Sequence, residues 1–227
     1  MSITIALHTI GQTPRPDLTP FIIAALGEPD VRVTGALDGL EMEQVPGVDP
    51  DDFPLETKMS DGARVEVGAA FLQARIQDNI DRLEDEAHVH VVLCAGPFPE
   101  LRSKGSLVRP FEHACDSFHR DGLSSLLVIV PFEAQVRPAF SKWNLAGFSV
   151  DVRSMTERTP ELAADLWLIE IGSVSEASAL VLDYVGYSKV ILDRVSEALP
   201  VPVFDLGYLA TDFARDIIKE MRDLLGE

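Results

Sequence analysis

Short apolar runs alternate with longer amphipathic stretches along nearly the whole of this chain. A short apolar run is typical of a buried strand, and a longer stretch with one apolar face is typical of a helix that covers a sheet. The predicted strands are 3–9, 31–35, 89–94, 126–131, 148–153, 179–184 and 201–204. The predicted helices are 18–26, 68–86, 106–120, 133–145, 160–174, 187–199 and 207–225, although 166–171 would also fit a strand. The alternation predicts an α/β fold of parallel sheets with helices on both faces.

One segment departs from this alternation. Between Gly35 and Gly68 the chain is first rich in Pro, Asp and Gly, and then has two short runs on either side of Asp61-Gly62. An Asp-Gly pair between two runs of alternating residues is a signal for a tight hairpin turn. We therefore predict a β-hairpin excursion at 54–67, which would serve as a lid or as a subunit contact.

The loop after the first strand is the strongest local signal for a binding site. It reads Thr9-Ile10-Gly11-Gln12-Thr13-Pro14-Arg15-Pro16-Asp17-Leu18. Gly11 allows a turn, the two prolines fix the path of the chain, and a helix is predicted to begin directly afterwards. A strand end, a glycine turn and a helix N-terminus are the usual place for an anion in an α/β sheet, and Arg15 would clamp a carboxylate or phosphate there. The alternative is a tight turn with Arg15 in solvent.

Charge limits the partners of this protein. The 227 residues include 37 acidic and 19 basic side chains, which gives a formal net charge of −18. A field of that sign repels nucleic acid and anionic lipid, so neither is expected as a partner. A carboxylate ligand would have to be held by local groups such as Arg15 and backbone amides. The apolar runs are far too short to span a bilayer, and the chain enters a strand at once without a basic leader, which predicts a cytoplasmic protein.

The two cysteines stand in different contexts. Cys94 ends a predicted strand and is followed by Ala95-Gly96-Pro97, so a turn would expose its side chain and place backbone N–H groups near the sulfur. Such a setting favours a reactive thiolate, and the alternative is an inert buried cysteine. Cys115 has helical spacing to Phe111 and Phe118, which predicts a core position. No CxxC or zinc-ligand spacing occurs, so reduced thiols are expected.

Several polar residues near strands have a structural explanation. Asp183 is predicted either to cap a helix or to support the site without touching the substrate, and Asp205 is predicted to stabilise the first turn of a helix. His88 and His90 alternate with valines at the start of a strand, away from the binding edge, and are predicted to be edge or surface residues. His8 is predicted to be a core histidine, with orientation of a carboxylate as the alternative. No Walker loop, GxGxxG, HExxH or GxSxG motif is present, so neither an organic cofactor nor a metal is expected.

Four segments carry a family pattern. They are Thr9–Leu18 (TIGQTPRPDL), Val91–Gly96 (VVLCAG), Val128–Glu133 (VIVPFE) with the following Lys142-Trp143, and Val181–Tyr187 (VLDYVGY). In this order they resemble the AroM family of the aspartate/glutamate racemase superfamily, nearly from end to end. The resemblance implies two pseudo-symmetric Rossmann-like lobes, each a parallel sheet flanked by helices, with the ligand in the cleft between them. Residues 1–100 and 203–227 would form the first lobe, which includes the hairpin, and 101–202 the second.

The resemblance also implies roles for particular residues. Cys94 falls at the position of the first of two cysteines that move a proton in the superfamily, and Tyr184 falls at the position of the second. An unperturbed phenol titrates near 10 and a thiol near 8.5, so two matched bases are not available. Cys94 and Tyr184 are the predicted catalytic pair. The predicted substrate-binding residues are Thr9, Gly11, Gln12, Thr13, Arg15, Ala95, Gly96, Pro131, Gly186 and Tyr187.

Two functions are compatible with this pattern. The first is a cofactor-independent isomerase, racemase or decarboxylase that uses a single cysteine on a small carboxylic acid. Because the phenol is a poorer base than the thiol, a one-sided reaction such as decarboxylation, elimination or cis–trans isomerisation is favoured over racemisation in both directions. The second is a non-catalytic carboxylate-binding protein that kept the fold and lost half of the acid–base pair. Either protein could be a homo-oligomer.

Overall fold

The computed structural model describes residues 3–27, 30–155, 177–187 and 189–226. The chain divides into two compact units, Met1–His113 with Ala210–Glu227, and Ala114–Leu209. Each unit is built on a four-stranded parallel sheet, so the predicted α/β fold of two lobes is confirmed. The predicted helix 160–174, with the alternative strand 166–171, lies outside the described residues.

Strands and helices alternate along the chain as expected. In the described residues the strands are β1 (Ile5–Thr9), β2 (Val31–Gly35), β3 (Pro54–Lys58), β4 (Arg64–Gly68), β5 (Val89–Leu93), β6 (Ser106–Val108), β7 (Ser125–Val130), β8 (Ser149–Ser154), β9 (Ala179–Leu182) and β10 (Val203–Asp205). The α-helices there are α1 (Thr19–Leu26), α2 (Ala69–Leu83), α3 (Pro110–Arg120), α4 (Val136–Leu145), α5 (Lys189–Ala198) and α6 (Leu206–Leu225), with short 3-10 helices at Met42–Gln44 and Glu133–Gln135. None of the described helices is both long enough and apolar enough to cross a membrane.

The sheet of the first unit has the order β2-β1-β5-β6, with every neighbouring pair parallel. Every residue of β1 and β5 is buried, as expected for central strands of a parallel sheet that is covered on both faces. Helix α2 covers one of these faces. Its Leu72, Ile76 and Ile80 share a core cluster with Val92 of β5.

The sheet of the second unit has the order β10-β9-β7-β8 and is also parallel throughout. Its core includes Leu127 of β7 and Leu180 of β9, together with Ile191 and Val195 of α5. This apolar contact holds α5 against the sheet. The loops that follow the parallel strands β7, β9 and β10 therefore all begin at the carboxyl edge of this sheet.

The boundaries of the two units differ from the predicted ones because of two strand pairings. Strand β6 pairs with β5 in the first sheet, and β10 pairs with β9 in the second. The first unit therefore extends to His113, beyond the predicted residue 100, and β10 belongs to the second unit instead of the first. The predicted helix 106–120 is divided into β6 and α3, because the proline at position 110 begins the helix.

The β-hairpin is present. Strands β3 and β4 are antiparallel, with Pro54 opposite Gly68 and Lys58 opposite Arg64. Gly62 closes the turn with a φ of 87°, which is strained for other residues. Leu55, Met59 and Val67 belong to the core cluster of the first unit. The hairpin therefore packs on the first unit rather than extending into solvent.

Candidate functional site

The carboxyl ends of β1, β2 and β5 lie side by side in the first unit. Thr9 pairs in register with both Gly35 and Leu93. The loop that contains Arg15 and the loop that begins at Cys94 therefore start next to each other. Open α/β sheets bind their ligands at this edge. The topology thus brings the predicted residues of the first unit to one place.

Cys94 is the first residue after β5 and is buried, with 6% of its surface exposed, so the turn does not expose the side chain and that prediction was wrong. The backbone N–H of Gly96 donates a hydrogen bond to Sγ over 3.2 Å. An N–H group directed at the sulfur stabilises negative charge on it. A Cβ at Gly96 would lie 2.8 Å from Cδ1 of Leu55, so the glycine allows the hairpin to pack against the loop of the thiol. Cys115 is also buried, and neither thiol forms a disulfide.

Two charged residues that sequence analysis did not single out fix the loop after Cys94. Nη1 of Arg109 donates to the carbonyl oxygens of Phe98 and Pro99, each over 3.1 Å. Oε1 of Glu112 accepts the N–H of Phe98 over 2.7 Å. Arg109 follows β6 and lies at the same edge as Cys94. It was overlooked because β6 was not predicted as a strand.

Arg15 is a buried guanidinium that is held by a carboxylate of its own loop. Its side chain is 9% exposed, and Nε donates to Oδ1 of Asp17 over 2.8 Å. Nη2 donates to Oδ2 over 3.1 Å, and Nζ of Lys58 lies 2.8 Å from the same Oδ2. Hydrogen bonds from Arg15, and then from Lys58, hold the pKa of Asp17 well below its usual value. Arg15 is therefore neither in solvent nor without a counterion.

Gln12 connects the loop to the hairpin and to the segment after β2. Its Nε2 donates to the carbonyl oxygens of Leu37 and Leu40, over 3.0 and 2.6 Å. Its Oε1 accepts the N–H of Ser60, over 2.8 Å, and its own N–H donates to the carbonyl oxygen of Lys58, over 3.0 Å. The groups predicted to bind an anion here are engaged inside the protein. Gln12 therefore links three segments in this structure, namely its own loop, the hairpin and the segment after β2.

Thr13 and Thr9 are engaged in the same way. The N–H and the hydroxyl of Thr13 donate to Oδ1 of Asp38 over 2.7 and 3.1 Å, and the N–H of Gly35 donates to Oδ2 over 2.7 Å. The hydroxyl of Thr9 accepts the N–H of Gly11 over 3.0 Å and lies 3.4 Å from Nη1 of Arg15. Asp38 thus fixes the turn, and Arg15 is the cation that this loop contributes to the edge of the sheet.

The structure corrects the prediction for His90. His90 is fully buried, and its Nδ1 lies 3.0 Å from Nε2 of His8, whose Nδ1 lies 2.8 Å from Oγ1 of Thr34. Burial, followed by the charges of His90 and Arg82, lowers the pKa of His8 from 6.5 to about 3. Strand alternation cannot distinguish a solvent face from one that a helix covers, and here α2 covers it. The core position predicted for His8 agrees with its burial.

In the second unit the predicted residues follow β7 and β9. Pro131 comes directly after β7, and Tyr184, Gly186 and Tyr187 lie in the loop after β9. The rings of Tyr184 and Tyr187 form a T-shaped pair with centroids 5.4 Å apart. Gly186 has a φ of 138°, and a Cβ there would lie 2.9 Å from the Tyr184 ring. The glycine is therefore required for the position of this tyrosine.

In the part of the chain that the structure describes, Asp183 binds two side chains of α4, so helix capping, the first of its two predicted roles, is not observed. Its Oδ1 accepts a hydrogen bond from Nζ of Lys142 over 2.7 Å, and its Oδ2 accepts one from Nε1 of Trp143 over 2.8 Å. Strand β9 ends at Leu182, so Asp183 lies in the following loop and its carboxylate reaches α4. Lys142 was noted in the sequence only as part of the family pattern, and the sequence offered no signal for this pairing.

Asp205 is the last residue of β10 and caps α6. Its Oδ1 accepts the N–H groups of Gly207 and Tyr208, over 2.8 and 3.0 Å. Within the described parts of the chain, neither its Oδ2 nor the buried hydroxyl of Tyr187 has a hydrogen-bond partner. Burial raises the pKa of Asp205 from 3.8 to about 7, against the effect of the two N–H donors. Burial, and then Asp205 and Asp183, also raise the pKa of Tyr187 well above 10.

The described residues contain no group of three or more His, Cys, Asp or Glu side chains placed to hold a metal ion. A cavity of about 750 Å³ lies along α2. It is lined by Thr34, Asp38, Arg75, Asp78, Asn79, Asp81, Arg82 and Leu83. Charges of both signs line this cavity, so it does not select an anion. The loops of Arg15 and Cys94 remain the candidate site.

Comparison with known proteins agrees with this architecture. The fold of two parallel α/β units resembles that of glutamate racemase and of an aspartate racemase homologue. The family model for AroM protein matches residues 5–221, and the chain belongs to the AroM family. No curated protein sequence matches it.

Solved structures that resemble the chain include three enzymes of different reaction type. A liganded double mutant of arylmalonate decarboxylase is 14% identical, with a TM-score of 0.62 over 96% of this chain and 92% of that one. The maleate isomerase Iso from Pseudomonas putida S16 is 14% identical, with a TM-score of 0.60 over 96% and 94%. Glutamate racemase from Francisella tularensis, in complex with D-glutamate, is 13% identical, with a TM-score of 0.57 over 97% and 82%. At these identities the likeness establishes the fold.

Proposed function

We propose that this AroM-family protein is a cofactor-independent isomerase or lyase that acts on a small carboxylic acid through Cys94. One observation carries the proposal. Arg15 and Cys94 follow neighbouring strands whose last residues, Thr9 and Leu93, are in register. A buried guanidinium and a thiol that accepts an N–H hydrogen bond thus belong to the same sheet edge.

The chemistry follows from these two groups. Arg15 binds the carboxylate of the substrate, and the Cys94 thiolate removes a proton from the adjacent carbon, which leaves an enolate-like anion. The positive charge of Arg15 stabilises this anion. In a decarboxylation the bond to carbon dioxide breaks instead, and the Cys94 thiol protonates the carbanion. In both cases the proton lost or gained by sulfur balances the change at carbon. In a cis–trans isomerisation the Cys94 thiolate instead adds to the double bond, the substrate rotates about the resulting single bond, and the C–S bond breaks again to release the thiolate.

Tyr184 is the proposed second acid–base group. An unperturbed phenol has a pKa about 1.5 units above that of a thiol, so it donates a proton more readily than it removes one at neutral pH. The site is therefore directional. We expect a one-sided reaction, and not racemisation of both enantiomers at similar rates.

The test is incubation in D₂O with phenylmalonate, maleate, and D- and L-glutamate, followed by proton NMR. We expect deuterium incorporation, loss of carbon dioxide or isomerisation with at least one acid. The Cys94→Ser variant should lose this activity, and the Cys115→Ser variant should keep it. Activity that survives in Cys94→Ser would contradict the proposed role of Cys94.

A non-catalytic carboxylate-binding protein is the second candidate. It is favoured by one observation, the tyrosine at position 184 where the superfamily pattern has a cysteine. This candidate predicts that an acid binds, as measured by calorimetry, while no acid of the panel exchanges protons or reacts. The two experiments together distinguish the candidates.

A further inference from the structure

We infer that Asp17 occupies the position of the ligand on Arg15, and that a ligand carboxylate binds by displacing Asp17. The inference rests on the proposed function, since it concerns the carboxylate site of that proposal. It assigns to Asp17 the role of an internal competitor that sets the affinity of the site.

The geometry of the pair is that of a bound ligand. Nε and Nη2 of Arg15 donate to the two oxygens of Asp17 over 2.8 and 3.1 Å. Two parallel N–H···O bonds are the arrangement in which an arginine recognises a free carboxylate. A ligand carboxylate can form the same two bonds only after Asp17 has left them.

The two partners differ in their freedom to move. The side chain of Arg15 is 9% exposed and that of Asp17 is 39% exposed. The carbonyl oxygen of Arg15 also accepts hydrogen bonds from the N–H groups of Leu18 and Thr19, over 3.1 and 3.0 Å, and from the Thr19 hydroxyl, over 2.9 Å. The start of α1 therefore anchors Arg15. Asp17 is the partner that can turn outward.

Lys58 of the hairpin provides a partner for the displaced carboxylate. Its Nζ lies 2.8 Å from Oδ2 of Asp17, and its side chain is 37% exposed. Arg15, Lys58 and Asp17 together carry one net positive charge. The cluster can therefore accept one further carboxylate, with the ligand on Arg15 and Asp17 on Lys58, and become neutral. In a chain with a net charge of −18 this local excess of positive charge favours the exchange.

The experiment measures the binding of acetate and malonate by NMR titration at constant ionic strength, with chloride as the reference salt. The Asp17→Asn variant should bind both acids about tenfold more tightly than the natural protein, the effect of one charge-assisted hydrogen bond. Glu66→Gln removes the same charge from the exposed side of the hairpin and should change the affinity less than about twofold. Arg15→Lys keeps the charge but not the paired geometry, and should weaken binding in both backgrounds.

A second measurement uses thermal unfolding. Asp17→Ala should unfold at a lower temperature than the natural protein in chloride, because Arg15 loses its carboxylate, and acetate should restore part of the loss. Equal or weaker binding by Asp17→Asn, no binding by any variant, or no effect of acetate on Asp17→Ala would overturn the inference. Acetate and malonate need not react, so a failure of the proposed reaction appears separately in the D₂O experiment.

Discussion

Lys142 and Asp183 form an ion pair inside the second unit, with Nζ and Oδ1 2.7 Å apart and side chains that are 6% and 2% exposed. The second carboxylate oxygen accepts a hydrogen bond from Trp143, and Nζ lies 5.7 Å from the centre of the Trp143 ring. Both oxygens of the carboxylate thus have a donor. A buried pair of this kind is costly to break, because the remaining partner is left charged and without water.

Lys142→Met should therefore lower the free energy of unfolding by about 3–5 kcal/mol, measured by urea denaturation. Lys189→Met is the matched control, since Lys189 forms an exposed pair with Asp193 and its loss should change little. The double variant Lys142→Met with Asp183→Asn should recover part of the loss, because no buried charge remains unpaired. A loss of stability in Lys189→Met as large as in Lys142→Met would contradict this explanation.

Asp205 should make the protein less stable as the pH rises towards 8. Its pKa in the folded state is about 7, against 3.8 for an unperturbed aspartate, so its contribution to stability is complete below pH 3.8 and is lost as the pH rises through 7. Asp205→Asn keeps the oxygen that caps α6 and removes the titration. Between pH 5 and pH 8 the variant should gain about 2–3 kcal/mol relative to the natural protein.

Asp216→Asn, an exposed change on α6, is the control for Asp205 and should show no such gain. Urea denaturation at both pH values gives the two differences. A constant difference between Asp205→Asn and the natural protein at pH 5 and pH 8 would show that Asp205 ionises normally in the folded state.

His8 should make the protein less stable as the pH falls, the opposite pH dependence to that of Asp205. Its folded pKa is lowered to about 3, so its contribution to stability is complete above pH 6.5 and is lost as the pH falls towards 3. His8→Gln should be less stable at pH 7, because it loses the contacts to Thr34 and His90. The gap to the natural protein should narrow between pH 7 and pH 4.5, as followed by urea denaturation. An imidazole signal of His8 that titrates near pH 6 in NMR spectra would contradict the prediction.

Local patterns were sufficient to predict most of the fold. Buried strands and amphipathic helices are recognised from the spacing of their own apolar residues. The pair Asp61-Gly62 is by itself a signal for a tight hairpin turn. The strand β6 was not predicted, because its three residues become a strand only by pairing with β5. Because β6 was not predicted, Arg109, which follows β6, was not recognised as a residue at the edge of the sheet.

The place of a candidate residue in the fold was predictable where that residue follows a strand with a recognisable pattern. Arg15 and the thiol loop of Cys94 follow strands that could be recognised. Lys58 reaches Asp17 from a position 41 residues away, because the hairpin packs on the first unit. Lys142 and Asp183 are also 41 residues apart and meet through the packing of α4. Such pairs depend on tertiary structure, and no spacing in a single sequence predicts them.

Gly11 is required for the close approach of the hairpin. A Cβ at this position would overlap the carbonyl oxygen of Lys58 and would lie 2.6 Å from Oγ1 of Thr57. Gly11→Ala should therefore destabilise the protein by about 1–3 kcal/mol, since backbone of the hairpin would have to move. Gly47→Ala is the control, because nothing lies within 4 Å of the added Cβ there. The midpoints of thermal unfolding of the two variants test this prediction. Equal midpoints would disprove the close approach of the hairpin to Gly11.

Cys94 should react with iodoacetamide faster than Cys115 at neutral pH, as measured by mass spectrometry after brief treatment. Both thiols are buried, but Cys94 begins a loop and accepts the N–H of Gly96, which stabilises the reactive thiolate. Leu55 of the hairpin packs against this loop at Gly96. Leu55→Ala should therefore increase the rate at Cys94 several-fold.

Cys115 in the same samples is the control for global unfolding. Opening of the whole protein would expose both thiols, whereas local movement of the hairpin exposes Cys94 alone. We therefore expect the rate at Cys115 to be the same in Leu55→Ala and in the natural protein. Equal acceleration at both cysteines would mean that Leu55→Ala merely destabilises the fold. Faster labelling of Cys115 in the natural protein would show that Cys94 is the inert thiol, and the proposed reaction would then lose its acid–base group.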